Sequence, residues 1–243
     1  MITPCVKYYN ELNSTNSYAL EHFEELNTGD IIAAKVQTHG RGRFDRVWEG
    51  SSPDNLYISF VIKPENPQRF PFTNLTQYLS VVTNRVLNRD YGIFSNIKWP
   101  NDILFNGKKI SGILAEAKMC EGKISGVVLG IGINVNFDVS ALENLPNATS
   151  ISTILGKKTD KSDLLDKVTK EFFKNFDAFS KNGFSEIFEE YKGMCKFPNK
   201  KIKISASFQD GEYEFVCVNE DGTISVKDEE KGIINIISGD IIC

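Results

Sequence analysis

The most constraining stretch of the sequence is a long apolar run near its middle, residues 124–136, which reads ISGVVLGIGINVN. Its continuous hydrophobicity and its β-branched residues predict a strand that is buried on both faces. Three glycines, Gly126, Gly130 and Gly132, interrupt this run. Because an interior glycine weakens a strand and often marks a close approach, we expect a ring or a chain to lie against its backbone.

Further strand and helix patterns surround this run. Strand patterns occupy residues 5–10, 30–37, 55–62 and 96–102, the last ending in a Pro-Asn-Asp turn. Apolar residues at helical spacing predict helices at 19–26, 74–88, 162–181 and 185–192. With strands and helices both present along the chain, we expect the α+β class.

A hairpin is predicted between residues 102–105 and 109–116, because Asn106-Gly107 is a strong turn signal. Alternation along the second strand places Lys109 on the same face as Ile113, and Lys108 on the opposite face. A buried lysine is costly unless an anion pairs with it. Lys109 is therefore a candidate functional residue, although a lysine at a strand start is often only an edge charge.

The C-terminal part of the chain has a different pattern. From Lys200 onward, short alternating segments are separated by the turn sequences QDG, NEDG and EKG. This pattern predicts a small all-β barrel without a helix. We therefore expect two domains, residues 1–195 and residues 196–243.

Composition excludes several classes of protein. The chain has 243 residues and a net charge of −4, which argues against a broad basic face for duplex DNA. Its five cysteines are odd in number and scattered, so disulfide frameworks and zinc sites are not expected. Only two histidines are present, which argues against a His-based triad. Neither a signal peptide nor a membrane span is recognisable, so a cytoplasmic protein that does not bind membranes is expected.

Arginines and glycines alternate in residues 40–48, GRGRFDRVW, directly after the predicted strand 30–37. The two glycines allow close backbone approach, and the arginines offer planar forks for carboxylate and phosphate. In an acidic chain, this loop favours a small anionic ligand over a polyanion. A solvated basic turn, or a loop that grips RNA phosphates, is the alternative interpretation. Neither the dinucleotide-binding nor the P-loop fingerprint occurs.

Four motifs follow one another over about a hundred residues: the arginine loop, KWPND, KxxGILxE and GIGINVN. Together they resemble the biotin protein ligases over nearly the whole chain. The resemblance implies a class II synthetase-like biotin/lipoate ligase fold, with a mixed β-sheet flanked by helices and an SH3-like C-terminal barrel. Since the sequence starts at the first catalytic strand, it resembles the monofunctional members without an N-terminal DNA-binding domain. No binding of DNA is therefore expected.

The resemblance also implies a two-step reaction. The biotin carboxylate attacks the α-phosphate of ATP, pyrophosphate leaves, and biotinyl-adenylate forms. A lysine of a biotin carboxyl carrier protein, part of an acetyl-CoA or pyruvate carboxylase, then attacks this anhydride and releases AMP. ATP, Mg²⁺ and biotin are the implied small molecules, and a monomer or a homodimer is expected. Such chemistry needs mainly positioning and charge stabilisation.

The resemblance implies roles for the residues of this chain that match positions in the family's motifs. The catalytic residues implied are Lys109, Arg41 and Arg43. Those implied for biotin are Ser14, Thr15, Asn16, Gln37, Gly40, Arg41, Gly42, Arg43, Lys109, Gly112, Gly130 and Gly132. Those implied for ATP are Arg43, Arg46, Trp48, Lys98, Asn101, Lys109 and Asn134, with Asp102 for Mg²⁺.

Several alternatives stay open at this point. Ser14 or Thr15 could serve only as a helix N-cap, and Asn101 and Asp102 could serve only to shape their turn. Asp45 stands where a common family form has glycine, and residues 137–150 lack the tryptophan that some members place over adenine. A lipoate ligase or acyltransferase of the same fold is a second hypothesis. A third is an RNA- or protein-binding module that acts through its barrel.

Overall fold

The computed structural model describes residues 2–137, 147–197, 201–205 and 210–242. Its larger sheet has seven strands in the order β1-β2-β3-β7-β6-β5-β4. β1 pairs with β2 in parallel, and the remaining neighbours are antiparallel. In chain order these strands are β1 (Cys5–Leu12), β2 (Asp30–Gln37), β3 (Leu56–Ile62), β4 (Asn96–Lys98), β5 (Asp102–Phe105), β6 (Lys108–Cys120) and β7 (Lys123–Ile133).

Helices cover both faces of this sheet. They are α1 (Thr15–Glu21), α2 (Leu75–Tyr91), α3 (Ile151–Leu155), α4 (Lys161–Lys174), α5 (Phe176–Asn182) and α6 (Phe188–Met194). Neighbouring strand residues point to opposite sides, so Ile31 packs in the large core with α2 and α4, while Ile32 packs in a smaller core with α1. The predicted α+β class is confirmed. None of the helices in the described ranges has the length and apolar content needed to span a bilayer.

The long apolar run forms β7, which lies between β3 and β6. Its residues alternate between the two cores, since Val128 packs on the α1 side and Val127 and Leu129 pack on the other. The predicted burial of this strand on both faces is therefore confirmed.

The C-terminal strands form a second, five-stranded antiparallel sheet in the order β11-β10-β9-β8-β12. These are β8 (Lys201–Ser205), β9 (Gly211–Val218), β10 (Ile224–Asp228), β11 (Gly232–Ile236) and β12 (Asp240–Ile242). One turn of this sheet rests on the larger part, because the carbonyl oxygen of Gly222 accepts from Trp99 Nε1 at 3.0 Å and from Gln77 Nε2 at 2.7 Å. The domain boundary between residues 195 and 196 stays a prediction.

The predicted helix 162–181 is wrong in one respect, because it is broken between Lys174 and Phe176. Near the break, Tyr78 Oη donates to the Phe172 carbonyl oxygen at 2.5 Å. Asn175 at the break has φ −116° and ψ 10°, and asparagine is a poor helix former. The second predicted helix, 185–192, is displaced to α6 by a preceding 3₁₀ turn, Gly183–Glu186.

Candidate active site

The arginine-rich segment folds as a small hairpin. Trp48 N donates to the Gly40 carbonyl oxygen at 3.0 Å, and Gly42 N donates to that of Arg46 at 2.7 Å. Phe44 and Asp45 form its turn with φ values of 53° and 57°, a conformation in which glycine is favoured. This turn explains physically why glycine suits the position of Asp45.

Ion pairs hold this hairpin to two different elements. Arg41 Nη2 lies 2.9 Å from Glu116 Oε1 on β6. Arg43 Nη1 and Arg46 Nη1 lie 2.7 Å from the two carboxylate oxygens of Asp240 on β12. Burial lowers the pKa of Arg43, and the nearby carboxylate of Asp240 acts in the opposite direction. The hairpin therefore bridges the two sheets, from Glu116 on β6 to Asp240 on β12.

The N-terminus of α1 supplies a second part of the site, made of uncharged polar groups. Ser14 caps this helix, since its side chain accepts from Ser17 N, so the predicted capping role is confirmed. Thr15 N donates to Gln37 Oε1 at 2.8 Å. Ser59 Oγ on β3 lies 2.7 Å from Thr15 Oγ1 and 2.6 Å from Asn16 Oδ1. These uncharged polar groups are buried and mutually hydrogen-bonded.

Lys109 lies on the face of β6 opposite to the one predicted. A register shift between Ile103 and Leu104 leaves Ile110 as an extra residue, because Ile103 pairs with Ser111 and Leu104 pairs with Lys109. Such a bulge resets the alternation. Lys109 consequently shares a face with Gly112, where a Cβ would lie 3.0 Å from its Nζ. The predicted face was wrong, since a bulge leaves no clear signal in the alternation pattern.

The expected anion beside this lysine is a carboxylate of the protein. Lys109 Nζ lies 2.7 Å from Asp102 Oδ1, and Lys98 Nζ lies 3.6 Å from Asp102 Oδ2. Lys109 Nζ is also 5.2 Å from the centre of the Trp48 ring, a cation–π distance. Asp102 is thus compensated by two ammonium groups.

The described residues do not fit a metal site held by the protein alone. Asp102 is engaged by lysines, and the described ranges contain no group of three or more His, Cys, Asp or Glu arranged to hold a metal. Mg²⁺ commonly takes one or two carboxylates together with substrate phosphates. The assignment of Asp102 to Mg²⁺ stays a prediction.

Glycines on β6 and β7 allow the protein's own side chains to approach closely. A Cβ at Gly130 would clash with the Asn16 amide, and one at Gly132 would clash with the Trp48 indole. Gly126 makes room in the same way for the ring of Phe23. The expected close approach to β7 is confirmed, and protein side chains make it. Trp48 Nε1 is buried and has no hydrogen-bond partner among the described residues.

Most of the predicted site residues line one pocket. Those brought together are Ser14, Thr15, Asn16, Gln37, Arg41, Gly42, Arg43, Arg46, Trp48, Asn101, Asp102, Lys109, Gly112, Gly130 and Gly132. Three are not in its lining: Gly40, Lys98 and Asn134. Asn134 instead supports the backbone around Lys109, since its Nδ2 donates to the carbonyl oxygens of Thr149 at 3.1 Å and Lys109 at 3.4 Å. Its predicted contact with ATP stays a prediction.

Three polar residues of the site were not predicted. Ser59 joins Thr15 to Asn16, Glu116 pairs with Arg41, and Asp240 pairs with Arg43 and Arg46. Glu116 ends the KxxGILxE motif, so its position was visible although its role was not. Asp240 stands in a short C-terminal strand with no local signal of function.

The segment 137–150, which lacks the tryptophan that some family members place over adenine, is described only in part, and residues 138–146 lie outside the described residues. At its described end, Lys109 N donates to the Asn147 carbonyl oxygen at 2.7 Å, and Thr149 N donates to that of Lys109 at 2.9 Å. This segment therefore fixes the backbone from which the Lys109 side chain enters the pocket.

The pocket has a neutral polar end at Thr15 and Gln37, and a charged end at Lys109, Arg43 and Arg46. The family model of the biotin/lipoate A/B protein ligase family matches residues 8–134, a range that contains both ends except for Asp240.

The chain belongs to this family.

Relatives support the same family. The bifunctional ligase/repressor BirA of Bacillus subtilis is 32% identical over 241 residues, which cover 96% of this chain and 72% of that protein. A biotin–(acetyl-CoA-carboxylase) ligase of Paracoccus denitrificans is 30% identical over 186 residues, which cover 72% of this chain and 74% of the relative. The chain covers 60% of the BirA of Escherichia coli, so part of that protein lies outside the match.

Solved structures confirm the fold of this family. A biotin protein ligase from Aquifex aeolicus, in complex with biotin and ATP, superposes with a TM-score of 0.83 at 29% identity. The superposition covers 98% of this chain and 97% of that one. It therefore includes the five-stranded C-terminal sheet, and the predicted ligase fold with a small β domain is confirmed.

Proposed function

We propose that this chain is a biotin protein ligase, which activates biotin with ATP and transfers it to a lysine of a carrier protein. The observation that carries the proposal is the placement of Lys109, Arg43 and Arg46 at one end of a pocket whose other end, at Thr15 and Gln37, is neutral and polar. This arrangement fits a ligand with an uncharged polar head and an anionic tail. The family match supports the same conclusion.

The neutral end suits the ureido ring of biotin. Thr15 N–H can only donate, so the atom of Gln37 that faces it is Oε1, and Gln37 Nε2 is left as a donor. Ser14 and Thr15 place a helix N-terminus and hydroxyl groups beside it. We propose that these groups bind the ureido ring.

The charged end suits the reacting anions. In the first step, a biotin carboxylate oxygen attacks the α-phosphorus of ATP, the bond to the β-phosphate breaks, and pyrophosphate leaves. Lys109 lies between Asp102 and the Trp48 ring, where its ammonium can move from a carboxylate of the protein to the ligand's oxygens. We assign Arg43 and Arg46 to the phosphates, because their guanidinium groups are fixed at the pocket wall by Asp240.

In the second step, the ε-amine of a carrier lysine attacks the acyl carbon of the adenylate. An amide forms, AMP leaves, and the amine loses a proton. We propose a biotin carboxyl carrier protein as the partner and the cytoplasm as the compartment. Mg²⁺ would enter with the nucleotide, since this ion is commonly bound through substrate phosphates.

The test is incubation of the purified protein with ATP, Mg²⁺ and either biotin or lipoate, followed by mass spectrometry of the acid-quenched mixture. Biotinyl-adenylate from biotin alone is expected. Formation of lipoyl-adenylate from lipoate would instead indicate a lipoate ligase of the same family. The absence of both adenylates would refute the proposal, and salt-sensitive RNA binding would then favour a binding module.

A further inference from the structure

Glu116 lies at the junction between the neutral end of the pocket and the arginine hairpin. Its side chain is 16% exposed. Oε1 forms an ion pair with Arg41 Nη2 at 2.9 Å, and Oε2 accepts a hydrogen bond from Asn16 Nδ2 at 2.8 Å. One carboxylate therefore connects the helix α1, which begins at the pocket, to the hairpin that lies over it.

Asn16 continues this connection into the pocket. Its Nδ2 also donates to the Leu114 carbonyl oxygen at 3.2 Å, and its Oδ1 lies 2.6 Å from Ser59 Oγ. Ser59 contacts Thr15, and Thr15 contacts Gln37. A series of hydrogen bonds thus runs from Gln37 to Glu116, and an ion pair extends it to Arg41; all its members except Arg41 are at least largely buried.

The chemistry of these groups fixes which of them donate and which accept along this series of hydrogen bonds. An ionised carboxylate only accepts hydrogen bonds, so Asn16 must turn its NH₂ group toward Glu116 and its oxygen toward Ser59. Ser59 has one proton, which serves either Asn16 Oδ1 or Thr15 Oγ1. Glu116 and the Leu114 carbonyl oxygen, neither of which can donate, therefore together set the donor and acceptor pattern of Asn16 at the neutral end.

We propose that Glu116 is a positioning residue that couples recognition of the ligand's neutral head to closure of the arginine hairpin. It holds Asn16 in the orientation required by the pocket, and it holds Arg41 at the base of the hairpin. The inference rests on the proposed function, since it assigns the coupling to the same biotin site. It also gives a role to the last residue of the KxxGILxE motif.

Glu116→Gln is the sharpest variant, because it keeps the size of the side chain and removes one acceptor. A glutamine carries no charge, and its NH₂ group would replace one of the two oxygens, so a donor would face either Asn16 Nδ2 or Arg41. Loss of one charge-assisted hydrogen bond predicts a KM for biotin about tenfold higher, with a KM for ATP within about twofold of the wild type. Hydrogen exchange of the amides in residues 41–48 should become about tenfold faster. Glu116→Asp, which keeps the charge, should recover part of both effects.

Glu11→Gln is the matched control, because Glu11 is an exposed glutamate of the same sheet. This variant should leave the KM for biotin and the hydrogen exchange of the hairpin unchanged. In an Arg41→Gln background, Glu116→Gln should no longer change the exchange of the hairpin, because its partner is already lost. It should still raise the KM for biotin, through Asn16.

Unchanged exchange and unchanged KM in a folded Glu116→Gln protein would overturn the inference, as would an equal rise in both KM values. The exchange measurement needs no activity. If the wild type made no adenylate while Glu116→Gln still loosened the hairpin, the proposed function would fail and the hairpin part of the inference would stand.

Discussion

Asp240 accepts a hydrogen bond from Arg43 at 2.7 Å although 197 residues separate them in the sequence. The same carboxylate contacts Arg46, and its side chain is 11% exposed. The Gly239 carbonyl oxygen accepts from Arg43 as well, at 3.0 Å. The C-terminal sheet therefore orients two of the three arginines of the hairpin.

Asp240→Asn should weaken this anchor, because it leaves a largely buried Arg43 without its charged partner. We expect the enzyme-bound adenylate to be lost about tenfold faster, the effect of one charged hydrogen bond. Retention can be measured by rapid filtration after adenylate formation. Asp228→Asn is the control, since Asp228 caps a turn of the same sheet. An equal effect of the two substitutions would indicate general damage to the sheet.

Arg43→Gly removes the guanidinium itself and should give the same defect in a stronger form. Adenylate that escapes the pocket reacts with exposed amines, so biotin should appear on proteins other than the carrier. Blotting a mixture of carrier and unrelated protein with streptavidin measures this directly. Label confined to the carrier in this variant would show that Arg43 does not retain the adenylate.

The hairpin should also respond to ligand. We expect hydrogen exchange in residues 39–50 to slow when biotin and ATP are added, because ordering of the hairpin uses part of the binding energy. Exchange that is equally slow without ligand would contradict this prediction. Residues 5–12 of β1, at the far edge of the sheet, provide an internal reference.

Local sequence patterns predicted the elements of the fold well, because an apolar run, a helical spacing of apolar residues and a turn dipeptide are each visible in the residues of the element itself. The strand β7, the helix α2 and the hairpin turn at Asn106-Gly107 were all visible in this way. The bulge beside Ile110 was not, since one extra residue changes a face without changing the composition. The break at Asn175 was missed because the apolar residues on both sides of it keep helical spacing in the sequence.

In the site, too, residues in local motifs were predicted, and residues that act through distant partners were not. Lys109, the arginine loop and the N-terminus of α1 were found because their residues form local motifs. Asp240 and Ser59 were missed, since each becomes meaningful only through a partner on another strand. Long-range pairing of this kind cannot be read from one sequence without its fold.

Cys195 should be unreactive although it is a free thiol. Burial raises its pKa to about 12, and a hydrogen bond from the backbone near Trp99 opposes this only in part. The thiolate is the reactive form, so at pH 8 iodoacetamide should modify the exposed Cys5 and Cys120 and spare Cys195. Mass spectrometry of the peptides tests this. The raised pKa also means that its contribution to stability is complete below pH 9 and is lost as the pH rises toward 12.

Lys109→Ala should nearly abolish adenylate formation, because it removes the ammonium beside the position where charge develops on the α-phosphate. A loss of about 100-fold or more in rate is expected from removal of one such group. Asp102 would keep Lys98 at 3.6 Å, so the fold should survive, and the melting temperature checks this. Lys108→Ala is the matched control, because Lys108 is exposed and is not part of the pocket lining. A mild defect in Lys109→Ala together with a severe defect in Lys108→Ala would show that Lys108 is the functional lysine. The assignment of Lys109 to the charged end of the pocket would then be wrong.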